Sequence, residues 1–283
     1  MPQLVLPAPA KLNLHLEVLG RRADGFHDLE MVFQTLALAD EVVVGWEPSA
    51  PALTTCVCDD PGIPGGPGNL AHRAAEAYRA AVGLPGTIDV LVRKRVPHGA
   101  GLGGGSSDAA SVLLALDALH GRVLGPAGLA PLALALGSDV PFFLLGGTAH
   151  ALGRGEVLTP LPAFAPRPIT ILMPPVVLPT PTVFKAMTEA ERGPRPARGA
   201  AWAAAAVAAT DPQPLLTNRL TDPAVRCCPA VGEVLAHLAG LGVPHLMSGS
   251  GAACFALGRI PVPSGWRGWH TAPGPGAGVA LPG

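Results

Sequence analysis

Hydrophobic and polar residues alternate strictly over Lys11-Leu12-Asn13-Leu14-His15-Leu16-Glu17-Val18, the pattern of a half-buried strand. Leu12, Leu14, Leu16 and Val18 form its inward face, and Lys11 and Asn13 share the accessible one. Arg22-Ala23-Asp24-Gly25 reads as a turn, because Asp-Gly favours one. Residues 29–38 and 40–46 read as two further strands, and the Pro- and Gly-rich residues 47–68 as an irregular edge. Asn69 is placed to cap a helix over 70–82 that Gly83 ends. Residues 87–96 alternate again, a glycine-rich run follows, and a helix is expected over 109–119. A short helix over 129–136 stops at Gly137. Pro160, Pro162, Pro166 and Pro168 then crowd a segment that reads as a linker. Beyond it come a strand at 169–173, helices at 181–190, 200–209 and 230–241, and a second glycine turn at 248–251 running into a strand. From Thr271 onward Gly, Pro and Ala dominate, and a frayed tail is expected.

This mixture of strands and helices predicts an α/β (α+β) chain of two domains, 1–158 and 159–270, followed by a tail at 271–283. Gly and Pro are abundant, at 36 and 33 of 283 residues, but 49% of residues are hydrophobic and only 14% charged. That balance excludes wholesale disorder, and the length can bury a substantial core. A net charge of −1 and an aromatic content of 4% provide neither a field nor a stacking surface for nucleic acid or membrane. No nucleic-acid or membrane partner is expected, and the chain is expected to be a monomer or weak homodimer. Cys56, Cys58, Cys227, Cys228 and Cys254 match no zinc-binding spacing and read as reduced thiols. No signal peptide or bilayer-spanning run is visible, so a cytoplasmic location is expected.

The sharpest chemical signal is Pro97-His98-Gly99-Ala100-Gly101-Leu102-Gly103-Gly104-Gly105-Ser106-Ser107-Asp108. Glycine allows positive φ and close backbone approach to a ligand, and successive N–H groups make a concave anion site. A helix starting near Ser107 adds its free N–H groups, giving a phosphate cradle. Gly99, Gly101 and Gly104 satisfy G-x-G-x-x-G, but the preceding strand carries Arg93, Lys94 and Arg95, and no acid follows at the spacing a dinucleotide site needs. The chain has no Gly-Lys pair for a Walker loop, and no His-Arg-Asp or Asp-Phe-Gly of a protein kinase.

Phosphoryl transfer needs an oriented hydroxyl, a base and nearby cations. Asp139 stands at a helix end before the apolar Phe142 and Phe143, where burial can raise a carboxyl pKa or a cation can pair with it; an ordinary turn aspartate is the alternative. Lys11 reads either as an aggregation-deterring edge lysine or as a cation serving Asp139. Phe26 and His27 read either as a solvated turn or as a stacking face and hydrogen-bonding edge for a flat heterocycle. Ser106, Ser107 and Asp108 are candidate metal ligands, with no residue standing out.

Together Pro9-Ala10-Lys11-Leu12-Asn13-Leu14, Arg22-Ala23-Asp24-Gly25-Phe26-His27, the run from Gly101 to Ala109, Gly137-Ser138-Asp139-Val140-Pro141 and Ser248-Gly249-Ser250-Gly251 closely resemble the GHMP kinases, in the family's order across residues 9–257. The resemblance implies two lobes with the site between them, ATP held by residues 97–107 and accompanied by Mg²⁺, Asp139 as the base and Lys11 as its holder, with Asn13 close by. The Lys11 motif and the Asp-Gly-Phe-His turn resemble the branch that phosphorylates the 2-hydroxyl of a cytidine-diphosphate conjugate of methylerythritol in non-mevalonate isoprenoid synthesis. In that branch the cytosine would lie on Phe26, where the family usually carries Tyr, and bond to His27. Kinases of homoserine, sugars or mevalonate, and a non-catalytic regulator on the same fold, are the alternatives.

Overall fold

The computed structural model describes residues 2–274. In chain order the elements are β1 (Gln3–Arg21), β2 (His27–Glu47), β3 (Leu53–Cys58), α1 (Leu70–Val82), β4 (Thr87–Arg93), α2 (Gly104–Leu119), α3 (Gly125–Leu136), α4 (Val140–Leu145), β5 (Thr148–Gly153), β6 (Val157–Pro160), β7 (Ile169–Met173), α5 (Thr180–Lys185), α6 (Ala200–Ala208), β8 (Thr217–Asn218), α7 (Thr221–Cys227), α8 (Pro229–Gly240), β9 (His245–Met247), β10 (Cys254–Ala256) and β11 (Arg267–Thr271). The first sheet runs β3-β4-β2-β1-β8, with β5 also on β2 and β6 on β5; the second runs β11-β7-β10-β9. The chain passes between the sheets in residues 161–168, returns when β8 pairs in parallel with β1 at His15 and Leu16, and meets the first sheet again beyond β11. No described helix is long and apolar enough to cross a membrane.

α1 forms where its signals predict. Asn69 Oδ1 accepts from the Ala71 N–H at 2.9 Å, Gly83 closes the helix at φ 63°, and Ala71, Ala74, Ala75 and Tyr78 make one buried face. Elsewhere the elements run longer than the pattern indicates. The two strands expected at 29–38 and 40–46 are one, β2. Asp40 does not break it, because its buried carboxylate accepts from the backbone N–H groups of Arg95 and Val96 and from the Lys94 ammonium. The region read as irregular holds β3, whose Thr, Val and Cys residues suit a pleat beside β4. The apolar residues after Asp139 form α4, with Pro141 in its first turn.

Three expectations are corrected. The face carrying Lys11 and Asn13 is not open to solvent: both residues are buried. Leu12 and Leu14 also do not share a cluster with Leu16 and Val18; the first pair packs with Ile171 and Phe255, the second with the larger core around α2. The β1–β2 register breaks between Pro9 and Lys11 and again between Asn13 and His15, and such breaks bend a strand and re-aim its side chains. Finally, residues 271–274 are not frayed. Ala37 N–H donates to the Ala272 carbonyl at 2.9 Å and Gly274 N–H to the Thr35 carbonyl at 2.8 Å, so they close on β2 where it leaves β1. The rest of the expected tail lies outside the described residues.

Candidate active site

The middle of β1 carries the site because three structures meet there. The Lys11 N–H donates to the Leu102 carbonyl at 2.9 Å, which fixes the glycine loop to the strand. The turn between β9 and β10 grips the loop from the other side: Ser248 Oγ donates to the Gly101 carbonyl at 3.2 Å, and Ala253 N–H to the Ala100 carbonyl at 3.2 Å. Asn218, on β8, donates to the carbonyls of Met247 and Gly249, both at 2.8 Å, and ties that turn to the first sheet. Gly103 is required twice over. Its φ is 73°, and a Cβ there would lie 2.8 Å from Phe143 Cζ and 3.1 Å from Lys11 Cγ. α2 begins right after it, ahead of the start near Ser107 that the polarity pattern indicates, and no side chain caps its N-terminus. The first N–H groups of α2 therefore have no partner within the helix.

Pro97, His98, Gly99, Ala100, Gly101, Leu102, Gly103, Gly104, Gly105 and Ser106 all line one cavity of about 600 Å³, together with Lys11, Asn13 and Asp139. Ser107 does not. It lies inside α2 with its N–H bonded to the Gly103 carbonyl at 3.0 Å, and its hydroxyl is buried away from the cavity. Asp108 lines the cavity together with Lys94, though it is largely buried: its Oδ2 meets Lys94 Nζ at 2.9 Å, and Lys94 meets Asp40 at 2.5 Å. Burial, with Asp40 beside it, pushes the Asp108 carboxyl up to about 7, even though Lys94 acts the other way. Among the described residues no group of three His, Cys, Asp or Glu side chains converges as a metal cage.

Asp139 directly precedes α4, and its side chain makes no capping bond, so it projects into the cavity. Lys11 Nζ lies 3.7 Å from its Oδ2, and donates to Asn13 Oδ1 at 2.5 Å. Lys11 is buried, and the β1 edge at this position is closed by the Leu102 carbonyl of the glycine loop, so it is no solvent-facing edge lysine. Burial lowers the Lys11 pKa, and the Asp139 charge opposes that shift. Lys11 also sits 5.5 Å from the centre of the Phe33 ring.

A second cavity, of about 540 Å³, opens on the far side of Asp139 and holds Phe26 and His27. Phe26 is half exposed, and the Arg154 guanidinium lies 3.8 Å above its ring. His27 stacks on Phe184 with ring centres 5.0 Å apart. Burial, then the charges of Arg192 and Arg21, lower the His27 pKa, so the ring is neutral near pH 7. Asp139, Arg154 and Phe184 border both cavities. Lys94, Arg154 and Phe184 are absent from the sequence-level candidates. Scarcity of lysine was a usable signal for Lys94; nothing in the local pattern marks the other two.

Residues 69–147 match the GHMP kinases N terminal domain. Homoserine kinase from Cytophaga hutchinsonii shares the fold at TM-score 0.69 and 16% identity, over 98% of this chain and 96% of that one. Fold and glycine loop together are those of a GHMP kinase. Within that class the chain belongs to the 4-diphosphocytidyl-2-C-methyl-D-erythritol kinase family. It is 46% identical to the kinase of that name from Thermus thermophilus, over 90% of this chain and 87% of the relative. It is 39% identical to the Geobacter metallireducens one, over 91% and 90%. A solved 4-(cytidine 5'-diphospho)-2C-methyl-D-erythritol kinase superposes with TM-score 0.78 at 41% identity, covering 96% of this chain and all of that one.

Proposed function

We propose that this chain transfers the γ-phosphoryl group of ATP to the 2-hydroxyl of 4-diphosphocytidyl-2-C-methyl-D-erythritol, a step of non-mevalonate isoprenoid precursor synthesis. The observation that carries the reading is the Lys11–Asp139 pair standing where a glycine-loop cavity and an aromatic cavity meet. ATP occupies the first cavity, its phosphates against the loop and the start of α2. The cytosine occupies the second, against Phe26, with the neutral His27 able to donate from one ring nitrogen and accept at the other.

Asp139 accepts the proton of the 2-hydroxyl as that oxygen bonds to the γ-phosphorus and the bond to the ADP oxygen breaks. No phosphoenzyme is needed. The Lys11 ammonium, held by Asn13, keeps Asp139 aimed and offsets the negative charge that gathers on the acceptor oxygen. The loop N–H groups supply fixed donors to the phosphates. Mg²⁺, arriving with the nucleotide, would supply positive charge against the phosphates. Ser106 and Asp139, hard oxygen donors along the same cavity, would be the residues to hold it.

The test is coupled ADP release with Mg-ATP and three acceptors: diphosphocytidyl-methylerythritol, homoserine and mevalonate. Turnover is expected with the first alone. Turnover on either of the others, with none on the first, overturns the substrate assignment.

A further inference from the structure

The second cavity is cationic. Arg21, Arg154, Lys185 and Arg192 border it, against Asp139 as the one carboxylate. Of these four cations only Arg154 also borders the nucleotide cavity. It connects two parts of the site. Its guanidinium covers a face of Phe26, and Nη2 donates to Ser138 Oγ at 3.2 Å, next to Asp139 in the chain. Among the described residues no carboxylate forms an ion pair with it, although its charge helps lower the Asp24 pKa, and its Nε is buried without an acceptor. A buried guanidinium donor left open in this way costs free energy until an acceptor arrives.

We propose that Arg154 binds the diphosphate of the acceptor substrate and so sets the span between the pyrimidine and the reacting hydroxyl. This rests on the function proposed above. In the substrate the diphosphate lies between the cytidine and the methylerythritol; in the protein Arg154 lies between Phe26 and Ser138–Asp139. The order of chemical groups is the same in both. A planar guanidinium presents paired donors that match phosphate oxygens, and stacking on Phe26 holds that plane in place. Arg154 is in this sense a specificity residue: it distinguishes a nucleoside diphosphate conjugate from an uncharged alcohol of similar size.

The test compares wild type with Arg154→Gln and Arg154→Lys in two measurements. In steady-state kinetics Arg154→Gln is expected to raise the acceptor KM by roughly 10- to 100-fold, the range for a lost charge-assisted hydrogen bond, with the ATP KM within about twofold. Arg154→Lys recovers part of the loss. In calorimetry without turnover, wild type binds CDP more tightly than cytidine, and Arg154→Gln removes that preference. An unchanged acceptor KM overturns the proposal. So does an equal loss for cytidine and CDP, since Arg154 would then serve only to support Phe26 and Ser138. The second measurement stands apart from the kinase reading: wild type failing to turn over the acceptor sinks that reading, while the CDP-to-cytidine ratio still decides the role of Arg154.

Discussion

In the proposed reaction the chemistry at Asp139 depends on one oxygen held 3.7 Å from a buried ammonium. Asp139→Asn keeps the shape and removes the proposed base. Turnover is expected to fall by about 10²- to 10⁴-fold with nucleotide affinity retained, measured by single-turnover kinetics beside ATP titration. Gly103→Ala tests the loop. The new methyl meets the Phe143 ring at a backbone φ of 73°, so both stability and ATP affinity should drop, the former by ~1–3 kcal/mol in urea unfolding. His15 reports a different property of β1. Buried, and bonded through Nδ1 to Thr217 Oγ1 at 2.5 Å, it has a pKa lowered to about 4 from 6.5, chiefly by burial. Its folded pKa lies below its unfolded one, so its stabilisation is present above pH 6.5 and lost as pH falls toward 4. The loss amounts to roughly 3 kcal/mol at most, and His15→Gln should weaken this acid dependence of the unfolding midpoint. Lys11, Asp139 and the loop glycines stand out in the sequence because their residue types are odd for their surroundings: a lysine on an apolar strand, an acid before two phenylalanines. Arg154 stands in an ordinary polar turn, and only the path of β5 into β6 brings it over Phe26.

Among the elements, α1, β7 and α6 were legible because local signals coincide with their ends: a cap, a stop, an unbroken apolar run. β2 was not, since the residue that seems to interrupt it, Asp40, is satisfied by groups more than fifty positions away. The start of α2 was hidden in the same way, its first turn being written in glycine and serine. Beneath that turn, Lys94 holds Asp40 and Asp108 together, two carboxylates to one ammonium. The excess charge is relieved when Asp108 takes a proton. Its folded pKa, about 7, lies above the ordinary 3.8, so its contribution is greatest below pH 3.8 and is lost as pH rises through 7. Asp108→Asn keeps the hydrogen-bonding shape without the charge. Its stability relative to wild type is expected to improve steadily between pH 4 and pH 8, as read from urea midpoints.

For the whole molecule, the change in composition around residue 155 falls shortly before the chain passes from the first sheet to the second. The crossing back at β8, only two residues long, could not be anticipated. That return matters because Asn218 secures the β9–β10 turn against the glycine loop, so the two sheets share one site wall. Ligands that bridge the wall should stabilise the whole chain together. Each of CDP and Mg-ATP, at one hundred times its dissociation constant, is expected to add about 2.7 kcal/mol and raise the thermal midpoint by several degrees in a single transition. Two separate transitions, with only one of them responding, would show instead that the sheets unfold independently.

Lys11 enters this wall in two capacities. Its ammonium faces Asp139, while its backbone N–H holds the Leu102 carbonyl. Exchanging the side chain alters the first contact and leaves the second intact. In a mutational scan read by nucleotide affinity, position 11 would thus look dispensable for any side chain that fits, proline excepted, because proline alone lacks the N–H. The same scan read by turnover would mark the position as indispensable. A tolerance map of this protein is therefore a map of side chains, and it underreports the strand that carries them.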